Sequence, residues 1–421
     1  MASRTGFATA AFAGLLFIAA AAAANGSGDQ PSQAQALEEP GDRLTLAQAF
    51  ALAAAANRSL AAARLARPVA GANVAVAGER PNPDLLLEDL RETPHQSATL
   101  SLPIETAGKR RLRVAAAEAD AASGEADLAQ TAATVRNRVR RAFYTQLAAE
   151  RRLAENQSTL ELARRAAAAA QQRFAAGAAP RLEALQGELT VAQAGNDLEG
   201  SRGQVAAARS DLDTLLGRPP QQALTVEGDL AAGAVPEAPT ALAAALASST
   251  ALALLDRRIA AQAARVALAR ANQVPNPTVQ GALTHGAAPE FDWGWRAALG
   301  FTLPIFTRHR PEVEVEEATL AQLKAEREAE AARVAGEVTA GVAQAAAARG
   351  QLDRFRDDVL PRAAAVEDLA EESYRAGETG LVALLQALQS TRDLRLRAIQ
   401  AGLDYQLALA DLEQSLGAPL P

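Results

Sequence analysis

The chain is written twice. "PNPDLLLEDL" at 81–90 returns as "PNPTVQGAL" at 275–283, and "LSLPIETAGKRR" at 100–111 returns as "GFTLPIFTRHRP" at 300–311. "RFAAGAAPRLEALQ" at 173–186 has its mate in "SYRAGETGLVALLQ" at 373–386, and "DLDTLLGRP" at 211–219 in "DLEQSLGAP" at 411–419. "LTLAQAFALAAAANRSLAAARLA" at 44–66 is echoed more loosely at 239–261. The order is kept at an offset of about 194–201 residues, far beyond the 20–50-residue periods of solenoids. Any fold for this chain must therefore contain one half-molecule built twice.

Each half reads the same way. A helix of about 30 residues opens it (44–79; 240–273), followed by two short extended segments (81–90 and 97–104; 276–287 and 293–304). A very long helix comes next, 107–173 or 308–374, spanning roughly 100 Å at ~1.5 Å per residue. A Gly break leads into a second helix, 181–216 or 381–416, which stops at Leu-Gly and Pro. Alanine dominates and aromatics are only 4%, which suits long helices in close approach. The small-residue seam Val334, Val338, Val342 and the set Leu352, Phe355, Val359 have coiled-coil-like spacing, while the other faces are rich in Arg, Glu, Asp and Gln. A thin wall, wet on both sides, fits this composition better than a solid bundle.

The extended segments are bounded by X-Pro pairs, which disfavour helix before each proline. In "DWGWRAALGFTLP" Trp293, Trp295, Ala297, Leu299 and Phe301 share one face, against Gly294, Arg296, Ala298, Gly300 and Thr302. Residues 96–104 alternate likewise. Such weak alternation over about ten residues is the signature of a membrane-spanning strand, or of an ordinary surface hairpin. Four strands cannot close a barrel, and lipid tolerates no open edge. Either the hairpins stay out of the membrane or several chains pool them; three copies would supply twelve strands.

The N-terminus, "MASRTGFATAAFAGLLFIAAAAAANGSG", reads as a signal peptide over 1–24, cleaved after Ala22-Ala23-Ala24, with a transmembrane anchor as the alternative. A polar lead (25–43) precedes the first repeat (44–219); a linker (220–239) precedes the second (240–417). Beyond the N-terminus no uninterrupted apolar run is expected to cross a membrane as a helix. The chain has no cysteine, so disulfides, thiolate nucleophiles and lipid-modified Cys are excluded. A net charge of −7 without a basic patch argues against nucleic acid. His95, His285 and His309 lack metal-ligand spacing, and no nucleophile elbow or phosphate loop is present. Arg136, Arg138, Arg140 and Arg141 read as solvated or paired across helices. No enzyme, cofactor or metal centre is expected.

The doubled plan, the "PNP" strand starts, "LPIETAGKRRLRVAAAEAD", "LPIFTRHR" and "YRAGETGLVALLQALQS" resemble the TolC-type outer-membrane efflux ducts over about residues 42–417. The resemblance implies a mainly α fold with a small membrane β-barrel: a homotrimer with twelve strands in outer-membrane lipid and a long α-helical tunnel across the periplasm. It also implies a periplasmic adaptor and an inner-membrane pump as partners. "PIETAGKRR" is most similar to the cobalt-zinc-cadmium branch paired with resistance-nodulation-division pumps, which implies heavy-metal cargo. A drug duct, a type I secretion duct and a non-channel coiled-coil scaffold remain alternatives.

On that resemblance the Gly breaks are the periplasmic tips and the adaptor-docking surface, with Phe174, Gly177 and Arg181 in one and Tyr374, Arg375, Gly377, Glu378 and Leu381 in the other. Where some relatives constrict the tunnel with acidic residues, this chain has Ala383 and Gln386. Gln386, its mate Gln186 and Glu183 are the candidate constriction, with exposed polar surface as the alternative. Trp293, Trp295, Leu299 and Phe301 are the lipid-facing candidates.

Overall fold

One helix, α4 (Lys109–Ala175), organises the rest. The computed structural model describes residues 43–219 and 225–420, which belong to one compact unit spanning Gly41–Pro421. The expected signal peptide lies outside the described residues, as do the lead up to residue 42 and linker positions 220–224. Around α4 pack α1 (Leu46–Ala56), α2 (Arg58–Arg64), α3 (Ala66–Gly78), α5 (Arg181–Leu216), α7 (Thr250–Asn272) and α10 (Leu381–Leu416). The second repeat supplies α6 (Ala238–Ser248), α8 (Arg310–Arg354) and α9 (Leu360–Ala376), with α8 lying along α7 and α10.

The single opening helix expected in each half is divided. Asn57 ends α1 and caps α2: its Oδ1 accepts from Leu60 N at 3.0 Å while its Nδ2 donates to Leu215 O at 2.8 Å. Ser249 separates α6 from α7 in the same way, and Ser248 Oγ donates to Leu416 O at 2.7 Å. Each break is thus fastened to the far end of its own repeat. By length and composition Ala238–Asn272 reaches the apolarity of a membrane span, contrary to the sequence expectation. The Ser249 cap interrupts it, and its apolar residues Ala241, Ala245, Leu252 and Ala261 are buried.

The long helix of the second half also differs from the simple expectation. A π turn, Phe355–Val359, joins α8 to α9. Pro361, one residue beyond it, has no N–H to give the preceding turn, so the wider turn accommodates a residue that an ordinary helix interior rejects. The Val334, Val338 and Val342 seam is buried as read, whereas Leu352, Phe355 and Val359 are only half-buried.

The largest core joins both halves. Phe143, Tyr144, Leu147 and Val139 of α4 meet Leu212 and Leu216 of α5, Ala49 and Ala53 of α1, and Leu403 of α10. Two short parallel strands, β1 (Arg43–Leu44) and β4 (Thr225–Val226), seal it. The chain after β4 is tied to α10: the buried Gln406 donates to Leu230 O and Ala232 O, and Tyr405 Oη to Gly233 O at 2.9 Å. Glu413 of α10 is buried between Arg136, at 2.6 Å, and Arg140 of α4. Truncating either side of a buried pair strands a charge and costs about 3–5 kcal/mol.

Four strands form a separate antiparallel sheet: β2 (Asp84–Asp89), β3 (Gln96–Pro103), β5 (Thr278–Ala287) and β6 (Phe291–Gly300), in the order β2-β3-β5-β6. The two hairpins, one per repeat, are joined by β3 on β5 from Gln96↔His285 to Pro103↔Thr278. Within one chain the sheet is open, with β2 and β6 at its edges.

Gly217 and Gly417 end α5 and α10 with φ of +68° and +70°. A Cβ on either would stand 2.3 Å from a carbonyl oxygen, that of Ala56 or Ser248. Gly217→Ala and Gly417→Ala are each expected to destabilise the protein by roughly 1–3 kcal/mol. Gly124→Ala, on an exposed stretch of α4 with nothing near its Cβ, should stabilise by about 1 kcal/mol. Thermal unfolding of the three variants checks the contrast.

Candidate functional site

The sheet's register sorts its side chains by chemistry. Leu85, Leu100, Gly281 and Ala297 stand side by side across the four strands, as do Leu87, Ala98, Leu283 and Trp295. The next rungs, Leu86, Thr99, Ala282 and Arg296, and Glu88, Ser97, Thr284 and Gly294, face the other way. One face is therefore apolar and the other largely polar, where Ser97 Oγ donates to Glu88 Oε2 at 2.9 Å. The apolar face is bare: Trp295 is 80% exposed, Trp293 63% and Leu87 70%. An exposed apolar patch of this extent marks a contact with lipid or protein. Leu299 shares that face; Phe301, counted with the strand in the sequence, lies just past the end of β6 and is exposed.

At its open loop end His285 stacks on Trp293 with ring centres 4.5 Å apart, and His95 lies against Gly286. At its helix end the sheet is locked to α4. Asn276 Oδ1 accepts from Thr106 N at 3.2 Å and from Lys109 Nζ at 2.7 Å, Lys109 also donates to Val274 O, and Thr106 Oγ1 donates to Pro275 O. Arg113 reaches Ala77 O, Glu79 O and Glu105. In the sequence alone "PNP" marks the strand starts and "PIETAGKRR" carries a family likeness, with no local sign of contact between them. Their joint repetition in order was the available signal that they touch.

The opposite ends of the long helices turn through two matching tips. Gly177 (φ +71°) and Gly377 (φ +80°) are left-handed C′ residues. Ala178 N donates to Arg173 O and Gly177 N to Phe174 O; Glu378 N donates to Ser373 O and Gly377 N to Tyr374 O. Both are Schellman closures, which satisfy the last helical carbonyls. Space beside both glycines is open to 4 Å. Arg181 and Arg375 are exposed, the latter paired with Glu371 at 2.5 Å. Phe174 is 38% exposed. Tyr374 and Leu381 are not free surface: both are buried with Leu384 against Ala166 and Ala170 of α4, and Arg173 sits over the Tyr374 ring at 5.0 Å. Small alanines let the second tip close on the first, which removes these two side chains from any docking surface.

A family model described as outer membrane efflux protein matches residues 50–218 and again 241–418. The chain belongs to that family. It is 28% identical over 372 residues to the cobalt-zinc-cadmium resistance protein CzcC of Cupriavidus metallidurans, covering 87% of this chain and 88% of that one. Its fold is that of solved channels. CusC superposes with a TM-score of 0.74 at 16% identity, over 89% of this chain and 92% of that one. The outer membrane protein VceC of Vibrio cholerae gives 0.73 at 16% identity, over 89% and 96%. This chain is accordingly an outer membrane efflux protein with the fold of solved outer-membrane channels.

Between tips and core, charge ties the helices of the efflux protein together. Arg392 of α10 meets Asp197 of α5 at 2.7 Å and Asn156 of α4 at 3.2 Å. Arg395 lies 2.7 Å from Glu367 of α9 and 3.4 Å from Glu155 of α4. None of these partners is adjacent in sequence, so the network was not foreseen. Glu183 and Gln186 lie half-buried in the first turns of α5, and Gln386 is exposed in α10. Among the described residues no cluster of three or more His, Cys, Asp or Glu could hold a metal ion.

Burial pushes the Glu367 carboxyl up from its ordinary 4.5, against the pull of Arg395; Glu371 and Glu155 push it further up. An acid raised by folding contributes stability that is complete below its unfolded value and is lost as pH climbs through the folded value. The stability of the parent relative to Glu367→Gln should therefore fall as pH rises from about 4 to about 7. Thermal melts at the two pH values test this.

Proposed function

We propose that three copies assemble into a closed duct, passive in itself, through which an inner-membrane pump and a periplasmic adaptor export heavy-metal cations. The observation that carries the assembly is the open sheet with one bare apolar face. Unpaired strand edges are not tolerated in lipid, so a membrane location requires β6 of one copy to meet β2 of another. The two edges differ in sequence, which makes the contact head-to-tail and ring-forming. Three sheets of four give twelve strands, within the range of known barrels. The apolar face with Trp293, Trp295 and Leu299 then meets lipid and the polar face lines the pore.

The tips support docking of a partner. Two Schellman turns per chain give three copies a rim of six similar knobs. Phe174, Gly177 and Arg181 in one tip and Arg375, Gly377 and Glu378 in the other offer side chains or bare backbone to an adaptor. Gln186, Gln386 and Glu183 stand within the first two turns beyond, where a constriction would form. The cargo assignment rests on the likeness to CzcC, the cobalt-zinc-cadmium resistance protein. The apolar sheet face and the family membership both weigh against a non-channel scaffold.

Deleting the gene should sensitise cells to cobalt, zinc or cadmium and leave tolerance of dyes, detergents and antibiotics unchanged, with the intact gene restoring growth. Sensitivity to organic compounds alone would move the duct to drug export. Gly377→Val places a β-branched residue at positive φ, at a local cost of about 1–2 kcal/mol. With open space around it, the variant should insert normally yet fail to restore metal tolerance. Full restoration would remove the tip from the docking surface.

A further inference from the structure

The clamp at the base of the sheet is made once in the chain, although its parts occur twice. Inside the chain Asn276, just before β5, holds Thr106 and Lys109, just after β3. The mate of Asn276 is Asn82, just before β2; the mates of Thr106 and Lys109 are Thr307 and Arg310, just after β6. Lys109 is buried, and Thr106 and Asn276 are half-buried, whereas Asn82, Thr307 and Arg310 are all exposed. The unfilled halves sit at the two opposite edges of the sheet, because β2 and β6 are its outer strands.

We propose that Asn82 of one copy receives Thr307 and Arg310 of a second copy, so that the contact between repeats is reproduced at the boundary between subunits. The proposal rests on the trimeric reading above and specifies its register. Applying the repeat offsets to the β3–β5 rungs puts Leu303 opposite Leu85 and Phe301 opposite Leu87 of the next copy. Leu85 and Leu87 lie on the apolar face, and Leu303 and Phe301 continue the apolar alternation of β6. A slip of one residue would set polar positions against them. The same register explains why β3 continues to Pro103 while β6 stops at Gly300, short of its mate Pro304. The last rungs of β6 lack the strand that would order them, and all four residues 301–304 are exposed. A guanidinium at 310 in place of the ammonium at 109 keeps a donor for the Asn82 amide oxygen.

The chain has no native cysteine, which makes the test clean. The full-length variant Asn82→Cys with Thr307→Cys is expressed in outer membranes and oxidised. A reducible ladder of dimer and trimer is expected. Thr106→Cys with Asn276→Cys should link only within a chain, and the mismatched pair Asn82→Cys with Thr106→Cys should give no ladder. Each single-cysteine variant is first weighed in detergent, so that a folding defect is separated from a failed link. A trimeric mass without the 82–307 ladder overturns the clamp and leaves the trimer standing. A ladder from the mismatched pair overturns the register. A monomeric mass for the parent protein overturns the trimeric reading, and the clamp with it.

Discussion

The pairing of β3 with β5 is the constraint on which the rest depends. It fuses two hairpins, each grown from its own repeat, into one sheet with a consistent apolar side. It also forces the two helical arms to rise from the same base, so that α4 lies against both α7 and α10 of the other half. Without it the sheet would be two separate hairpins, neither with enough hidden surface to order its strands. The Asn276 clamp reinforces the joint where strands become helices, the place where irregular backbone most needs partners.

Above that joint the molecule relies on alanine and on charge. Ala163, Ala166 and Ala170 give α4 a flat side on which α5 and α10 settle closely and which Tyr374 of α9 reaches. Little apolar area is hidden by such contacts, and the arginines of α4 and α10 supply what bulk does not. Arg140 with Glu413, and Arg395 with Glu155 and Glu367, connect helices at positions where a leucine would thicken the wall. Such a wall stays polar toward the solvent on either side.

The parts that were legible in the sequence are those with a local signal. Alternation of Trp293, Trp295 and Leu299 revealed β6, and the Gly177 and Gly377 breaks located both tips. The division at Asn57 was hidden because "ALAAAANRSLAAAR" keeps a helical composition throughout, and the side chain that stops the helix bonds to Leu215, 158 residues away. Tyr374 and Leu381 read as surface because their cover, Ala166 and Ala170, comes from the other repeat and is too small to look like a docking site. The Arg395 network was invisible because its partners come from other helices, Glu367 of α9 and Glu155 of α4, the latter 240 positions away.

The unlike edges of the sheet also have a genetic consequence. In the proposed head-to-tail ring of three copies a faulty copy would not be diluted, because each chain would supply one edge to each neighbour and leave no spare edge. A cell making sound and faulty chains in equal amounts would assemble wholly sound rings only roughly one time in eight. Lesions confined to β2 or β6 would then be inherited as dominant traits, whereas a chain too damaged to fold would drop out of assembly and behave as recessive.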